Sequence, residues 1–194
     1  MLSAQPPSQV IGSNVTAPTL TTARLTLAPH RPSDLDEMAE MITDPAFAAQ
    51  VGVPVATREE VWHRLLRYIA HWQVMGFGHW VVRETASGVY LGEIGLMESR
   101  RATTPSFEGT PEAAWGFRPS THGRGYAREA CAAMLGWADG QGIARTVCII
   151  SPGNAPSIRL AGRLGYTPAG EVEYRDAPIP FFERPRGTEI VKGP

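Results

Sequence analysis

Gly123-Arg124-Gly125-Tyr126-Ala127 lies between an extended apolar run and an alanine-rich amphipathic segment, which commits this stretch to strand, tight turn and helix. Two glycines at the mouth of a helix let several main-chain N–H groups converge on one anion. The first helical turn adds its unsatisfied amides and the positive end of its dipole, so a phosphate can be held there without a lysine. The same glycines would also suit a turn that merely needs positive φ, and the pair alone leaves both readings open. The surrounding charge favours the anion. Residues 113–128 hold Arg118, Arg124, Arg128 and His122 and no acid, in a chain whose formal charge is only −1. A local positive patch on a nearly neutral protein points to a small anionic ligand rather than a nucleic-acid track.

Two other phosphate motifs fail. A Walker loop needs a Gly-Lys-Ser/Thr ending, and Lys192 is the sole lysine. A dinucleotide fingerprint needs a third glycine where Arg128 stands. At 194 residues the chain reads as one domain over 22–190, preceded by a mobile tail at 1–21 that is rich in Ser, Thr, Pro and Ala without periodicity. No apolar run is long enough to span a bilayer, and the first 22 residues lack the basic start and apolar core of a secretory signal, so a cytoplasmic protein without a membrane partner is expected. Cys131 and Cys148 both sit in apolar segments and read as buried small hydrophobes.

Leu25 and Leu27 alternate with Arg24 and Thr26 in a first strand ended by Pro29. Ser33 with Asp36 has capping-box spacing before Leu35, Met38, Ala39 and Ile42, and Thr57 with Glu60 repeats the device before Val61, Leu65, Tyr68 and Trp72. Two helices therefore follow the first strand. Residues 79–83 and 89–97 read as a hairpin turning at Ser87-Gly88, and 99–111 as an exposed loop leading into a strand at 112–117. Ala127, Ala130, Cys131, Met134, Leu135 and Ala138 mark a helix face stopped by Gly140 and Gly142. Residues 146–150 form a strand buried on both faces. Asn154 then caps a helix carrying Ile158, Ala161 and Leu164 and closed by Gly165, and 166–174 with 178–183 make a last pair of strands.

This order resembles that of the GNAT superfamily of acyl-CoA-dependent N-acyltransferases. His122-x-x-Gly125-x-Ala127 resembles the family's Arg/Gln-x-x-Gly-x-Gly/Ala signature, and Asn154-x-x-Ser157, followed by Arg159-Leu160 and Arg163-Leu164-Gly165-Tyr166, resembles its second signature. Thr22-Ala23-Arg24-Leu25-Thr26-Leu27-Ala28-Pro29, Gly92-Glu93-Ile94-Gly95-Leu96 and Trp115-Gly116-Phe117 look most like the ribosomal-protein N-terminal acetyltransferase (Rim-type) branch. The resemblance covers residues 22–186 and implies an α/β (α+β) GNAT fold, a mixed, mostly antiparallel twisted sheet of about seven strands flanked by about four helices.

It also implies acetyl-CoA as cosubstrate, an amine-bearing acceptor that is a small molecule or a protein N-terminus, and the homodimer frequent in this branch, with no metal and no nucleic acid. By the resemblance, the backbone of Trp115 and Phe117 pairs with the pantetheine amides, while Gly123, Arg124, Gly125, Tyr126 and Ala127 receive the pyrophosphate. Arg118 and His122 belong to the same cofactor-binding stretch, and Asn154 and Ser157 meet the pantetheine arm. His122 replaces the usual Arg or Gln, which puts a side-chain contact there in doubt and leaves the main-chain cradle intact.

Amine attack on a thioester needs a neutral amine, a polarised carbonyl and a stabilised leaving thiolate. Where the branch often has a glutamate, two residues before the strand glycine, this chain has Ala114. Glu112, two positions back on the same strand face, and Glu93 on the neighbouring strand are the candidate bases pointing at the cleft. Ala161 stands where many relatives have a proton-donating tyrosine, so Ser157 is the candidate hydroxyl, and Tyr166 reads as packing. The acceptor side is expected from the two early helices, the 99–111 loop and the final hairpin with Phe181, Phe182 and Glu183. Trp72, Phe77, Trp80 and Trp115 either line it or fill the core. His63 and His71 are eight apart on one helix, too far for a metal pair. Transfer of acetyl to a primary amine is the leading reading. A silent acyl-CoA-binding or sensing module is the rival, favoured by Ala114, Ala161 and His122.

Overall fold

Eight strands and five α-helices build the protein, of which the computed structural model describes residues 16–191. Residues 1–15, most of the expected tail, lie outside the described residues. The strands are β1 (Leu20–Thr21), β2 (Leu25–Pro29), β3 (His79–Glu84), β4 (Tyr90–Met97), β5 (Glu112–Phe117), β6 (Arg145–Ile149), β7 (Thr167–Tyr174) and β8 (Ala177–Pro185). They form one sheet in the order β1-β2-β3-β4-β5-β6-β8-β7. Every neighbouring pair is antiparallel except β5 and β6. The helices are α1 (Leu35–Ile42), α2 (Pro45–Val51), α3 (Arg58–Met75), α4 (Tyr126–Gly140) and α5 (Ala155–Arg163).

Local chemistry explains most of these elements. At α3 the Thr57 hydroxyl accepts from the Glu60 amide at 3.2 Å while the Glu60 carboxylate accepts from the Thr57 amide at 2.7 Å, the box that the spacing announces. At α1 the expected Ser33–Asp36 box does not form. Pro32 opens a 3-10 turn one residue early, and Asp34 accepts from the Arg31 amide at 2.8 Å. Asp36 pairs instead with Arg58. Helix α2 is a third early helix that the sequence reading missed. Its signal is Asp44, which accepts from the Ala46 amide at 2.8 Å, then Pro45 at the first helical position and Gly52 in the left-handed region.

The tail boundary also moves. β1 pairs with β2, Ala17 is buried, and Trp80 donates its indole N–H to the Pro18 carbonyl at 2.7 Å, so the packed domain begins by Ala17 rather than at residue 22. The 99–111 loop is tied down as well. Thr104 exchanges main-chain bonds with Glu173, and Phe107 is buried against Phe181 with ring centroids 5.5 Å apart.

Helices cover both faces of the sheet. On one, α4 and α5 bury Ala130, Met134, Leu135, Ala161 and Leu164 against Leu25, Leu27, Ile94, Leu96 and Phe117. On the other, α1 to α3 bury Met38, Ile42, Phe47, Val61 and Leu65 against Val81, Tyr90 and Met97. Each fully buried Leu contributes about 2 kcal/mol to this arrangement. Trp72, Trp80 and Trp137 meet edge to face, 4.7 to 5.3 Å between centroids, so Trp72 and Trp80 are core. Cys131 and Cys148 are free and buried, and burial pushes both thiols up from their ordinary value. Among the described residues no helix is long and apolar enough to cross a membrane.

Candidate active site

β5 and β6 touch at a single paired position, Glu112 with Val147, and then diverge. Beyond it Trp115 and Phe117 pair with β4 on one side only, in register with Ile94 and Gly92. Their other edge is open, and an unpaired strand edge seeks external N–H and C=O partners. Two cavities, of about 460 and about 400 Å³, lie along this split and share Val51, Trp115 and Ser157 in their walls.

The smaller cavity is the anion side. Phe117, His122, Gly123, Gly125, Tyr126, Ala127 and Arg128 line it, with Phe47 and Val51 of α2 and Arg163 of α5. Gly123 and Gly125 have φ of 73° and 78°, so the turn does require left-handed residues. It also leaves room. A Cβ on Gly123 would meet nothing within 4 Å, and one on Gly125 only Arg24 Nη2 at 3.5 Å. Open space over the first-turn amides of α4, with arginines at the rim, fits a diphosphate.

Tyr126 is buried at this turn, with the guanidinium carbons of Arg24 and Arg124 at 4.6 and 4.7 Å from its ring centroid. Its hydroxyl donates to Glu84 at 2.7 Å. Glu129, an acid in the first turn of α4, is countered by Arg24, whose Nε donates to it at 2.7 Å, and by the Thr22 hydroxyl at 2.6 Å. Burial raises its pKa, but these bonds outweigh burial and leave the carboxyl below its usual value.

Two arginines assigned to the cofactor stretch point elsewhere. Arg118 donates to Glu40 on α1 at 2.7 Å, and Arg124 lies 3.9 Å from Glu84; neither lines the cavity. Arg163 and the α2 residues take their place in the wall. Arg163 stood in the sequence motif, whereas nothing in the sequence placed Phe47 or Val51 there. His122 does line the cavity, its Nε2 3.3 Å from the Phe117 carbonyl.

Where the cavities meet, Trp115 Nε1 donates to Ser157 Oγ at 3.1 Å. That bond uses an acceptor site of the hydroxyl and leaves its proton free to donate. Asn154 caps α5, its Oδ1 accepting from the Ser157 amide at 3.2 Å, which leaves its NH₂ group available to a ligand.

The larger cavity continues past Ser157 and is walled by residues 51–54 at the end of α2, Arg101 of the loop, Glu112, Asn154, and Tyr174, Arg175 and Ala177 to Ile179 of the last hairpin. Glu112 is buried, and its Oε2 accepts from Arg101 Nε at 2.7 Å, leaving Oε1 as the oxygen outside the pair. Glu93 lines neither cavity. It is buried under α3, accepting from the Tyr68 hydroxyl at 2.8 Å with Arg64 at 3.5 Å. The side chain points to the α1–α3 face of the sheet, and α3 covers it. Phe181, Phe182 and Glu183 also miss the cavity, which meets the hairpin nearer its turn. Of the four aromatics considered for this wall, Trp115 alone is part of it. Ala161 is fully buried and Tyr166 bonds to Thr146 at 2.7 Å inside the core. Among the described residues no group of three or more His, Cys, Asp or Glu could hold a metal.

The Acetyltransferase (GNAT) domain family matches residues 24–167. Among solved structures, a protein described as a GnaT-family acetyltransferase of Bordetella pertussis is 33% identical, with a TM-score of 0.75, over 86% of this chain and 98% of its own. RimL, a ribosomal L7/L12 α-N-protein acetyltransferase solved with coenzyme A, is 14% identical with a TM-score of 0.69, over 87% of this chain and 97% of its own, a likeness of fold. Among curated proteins, the uncharacterized YkkB of Bacillus subtilis is 26% identical over 110 residues, 56% of this chain and 62% of that protein, so the match spans less than two thirds of the relative.

Proposed function

The chain belongs to the Acetyltransferase (GNAT) domain family, and from that premise we propose that it transfers acetyl from acetyl-CoA to a primary amine by direct attack in a ternary complex. The observation that carries the reading is the open edge of β5 running from the glycine turn to Ser157, with one cavity on either side. Bound acetyl-CoA supplies an activated thioester. Residues 123–127 hold its diphosphate on main-chain amides, and the free edge at Trp115 and Phe117 pairs with the pantetheine amides. The Asn154 side-chain amide steadies the arm.

The acceptor enters through the larger cavity. Its nitrogen forms the new N–C bond as the C–S bond breaks, the sulfur leaves with the bonding pair, and the amine's surplus proton must depart. Ser157 serves as donor to the departing sulfur, because Trp115 holds its oxygen and leaves its proton free. Glu112 is the carboxylate within reach of the acceptor cavity, with Oε1 to orient the amine or take its proton through water. Glu93, sequestered under α3, is given no role in the transfer. Much of the rate then comes from holding amine and thioester together. The Thr22-to-Pro29 text and the RimL-like fold support the Rim-type branch, whose acceptors include protein N-termini.

The test is thiol release from acetyl-CoA by the purified full chain with N-terminal peptides, polyamines, aminoglycosides and amino acids. Turnover with at least one amine is expected. Saturable CoA binding with no thiol release across the panel would instead mark a silent binding module.

A further inference from the structure

The acceptor cavity carries an unbalanced set of charges. Its wall contains two guanidiniums, Arg101 and Arg175, and one carboxylate, Glu112. The charge of Glu112 is offset within the wall, because its side chain is 5% exposed and its Oε2 accepts from Arg101 Nε at 2.7 Å, which leaves only Oε1 outside the pair. Arg101 Nη1 also donates to the Tyr174 hydroxyl at 3.1 Å, and its guanidinium carbon lies 5.1 Å from that ring's centroid. Arg175 sits 5.2 Å from the same centroid, so two cations lie against the Tyr174 ring. Arg175 is exposed and joins none of the ion pairs among the described residues, and its neighbour Asp176 does not line the cavity. The position is also unusual for an arginine. Arg175 and Asp176 form the two-residue turn between β7 and β8 with φ of 55° and 59°, where backbone preference favours Asn-Gly.

We propose that the acceptor is a small primary amine that also carries a carboxylate, with Arg175 gripping the carboxylate while the amine reaches the Trp115–Ser157 end of the cavity. This rests on the transferase reading above and names its substrate class. A guanidinium binds a carboxylate through two parallel hydrogen bonds, and the Tyr174 ring holds this one in place. A polycationic acceptor would meet two like charges. Glu112 Oε1 can serve the reacting amine, but the second ammonium finds no other carboxylate in the wall and could claim Glu112 Oε2 only by displacing Arg101 from a buried pair, which leaves a guanidinium uncompensated.

Three amines of one length test this: ε-aminocaproate, n-hexylamine and hexamethylenediamine, compared by thiol release with the full chain and saturating acetyl-CoA. The expected order of kcat/KM is ε-aminocaproate over hexylamine by about tenfold, the size of one charge-assisted hydrogen bond, with the diamine last. Arg175→Gln should erase the preference through KM, and Arg175→Glu should turn it toward the diamine; circular dichroism checks that both variants keep the fold. A wild-type preference for the diamine overturns the carboxylate proposal while acyl transfer stands. If none of the three is turned over and the wider panel is silent too, the transferase reading fails. Calorimetry on the CoA-loaded protein still decides the carboxylate site, since adipate should bind more tightly than hexamethylenediamine and weaken in Arg175→Gln. Equal or weaker adipate binding overturns it.

Discussion

Gly125 sits at φ 78°, and a side chain added there would project toward the Arg24 guanidinium over the mouth of α4. Asn and Asp both tolerate the left-handed region, so exchanging Gly125 for each separates backbone from charge. Gly125→Asn should bind CoA with a small loss, and Gly125→Asp should bind at least about tenfold more weakly than Asn, because its carboxylate faces the diphosphate. Equal affinities by calorimetry would remove the anion from this turn. Arg24 is the companion case. It neutralises Glu129, whose carboxylate otherwise sits in the first turn of a helix asked to bind an anion, and it donates from Nη1 to the Arg124 carbonyl at 3.0 Å. Arg24→Met should weaken CoA about three- to tenfold, and a second change, Glu129→Gln, should restore most of the loss. Ser157→Ala should lower kcat more than it raises KM for acetyl-CoA, read from initial rates, because the hydroxyl proton acts only as sulfur departs.

The same contrast between local and distant partners governs what could be read at the scale of elements. The capped helices α3 and α5, the β3–β4 hairpin and β5 are written within a few residues of themselves, and the glycine turn needs only its own backbone. Helix α2 has a cap and a proline but only seven residues, too few to show a period. Arg118 and Arg124 looked like anion ligands because Glu40 and Glu84, which occupy them, arrive from other elements. Glu93 shows the same limit, since only the packing of α3 decides that a carboxylate in β4 is covered. That helix creates a buried polar layer with its own pH signature. Tyr68 stacks on His79 with centroids 4.0 Å apart and lies 5.1 Å from His30, beside Glu93, Tyr90 and Arg64, with Asp34 and Arg83 at the edge near His30. Burial lowers both imidazoles below their ordinary value, the nearby Glu93 and Asp34 opposing this at His30. The unfolded chain therefore takes up these protons first. Stability should be fully present above about pH 7.5 and fall as pH drops through 6.5, by up to about 1.4 kcal/mol per pH unit per histidine. Urea midpoints between pH 7.5 and 5.5 measure the slope, and His79→Gln should flatten it; an unchanged slope would assign the loss to other groups. The lowered carboxyls Glu84, Glu129 and Asp139 act only in the more acidic window of their own titration.

Across the whole molecule, the split between β5 and β6 is useful only if the two halves of the sheet stay at a fixed distance. α4 packs on β1, β2, β4 and β5, all on one half, and its far end is fastened to the other half by Arg184 of β8. The Arg184 side chain is 2% exposed, donates from Nη1 and Nη2 to the two oxygens of Asp139 on α4 at 2.9 Å each, from Nε to the Leu164 carbonyl after α5 at 3.1 Å, and from Nη2 to the Thr188 carbonyl at 2.8 Å. One buried guanidinium thus joins both helices of that face, the last strand and the C-terminal segment. These bonds hold the Asp139 carboxyl below its usual value. Lysine cannot replace this fork, because a single ammonium cannot span four acceptors in fixed directions. Arg184→Met should cost about 3 kcal/mol of unfolding free energy in urea, since it strands Asp139 and two carbonyls, and Arg184→Lys should recover little of it. If the clasp also sets the width of the split, both variants should bind CoA more weakly at temperatures where circular dichroism still shows them folded. Full CoA affinity in a destabilised but folded Arg184→Met would mean that α4 keeps the cleft open through its apolar face alone.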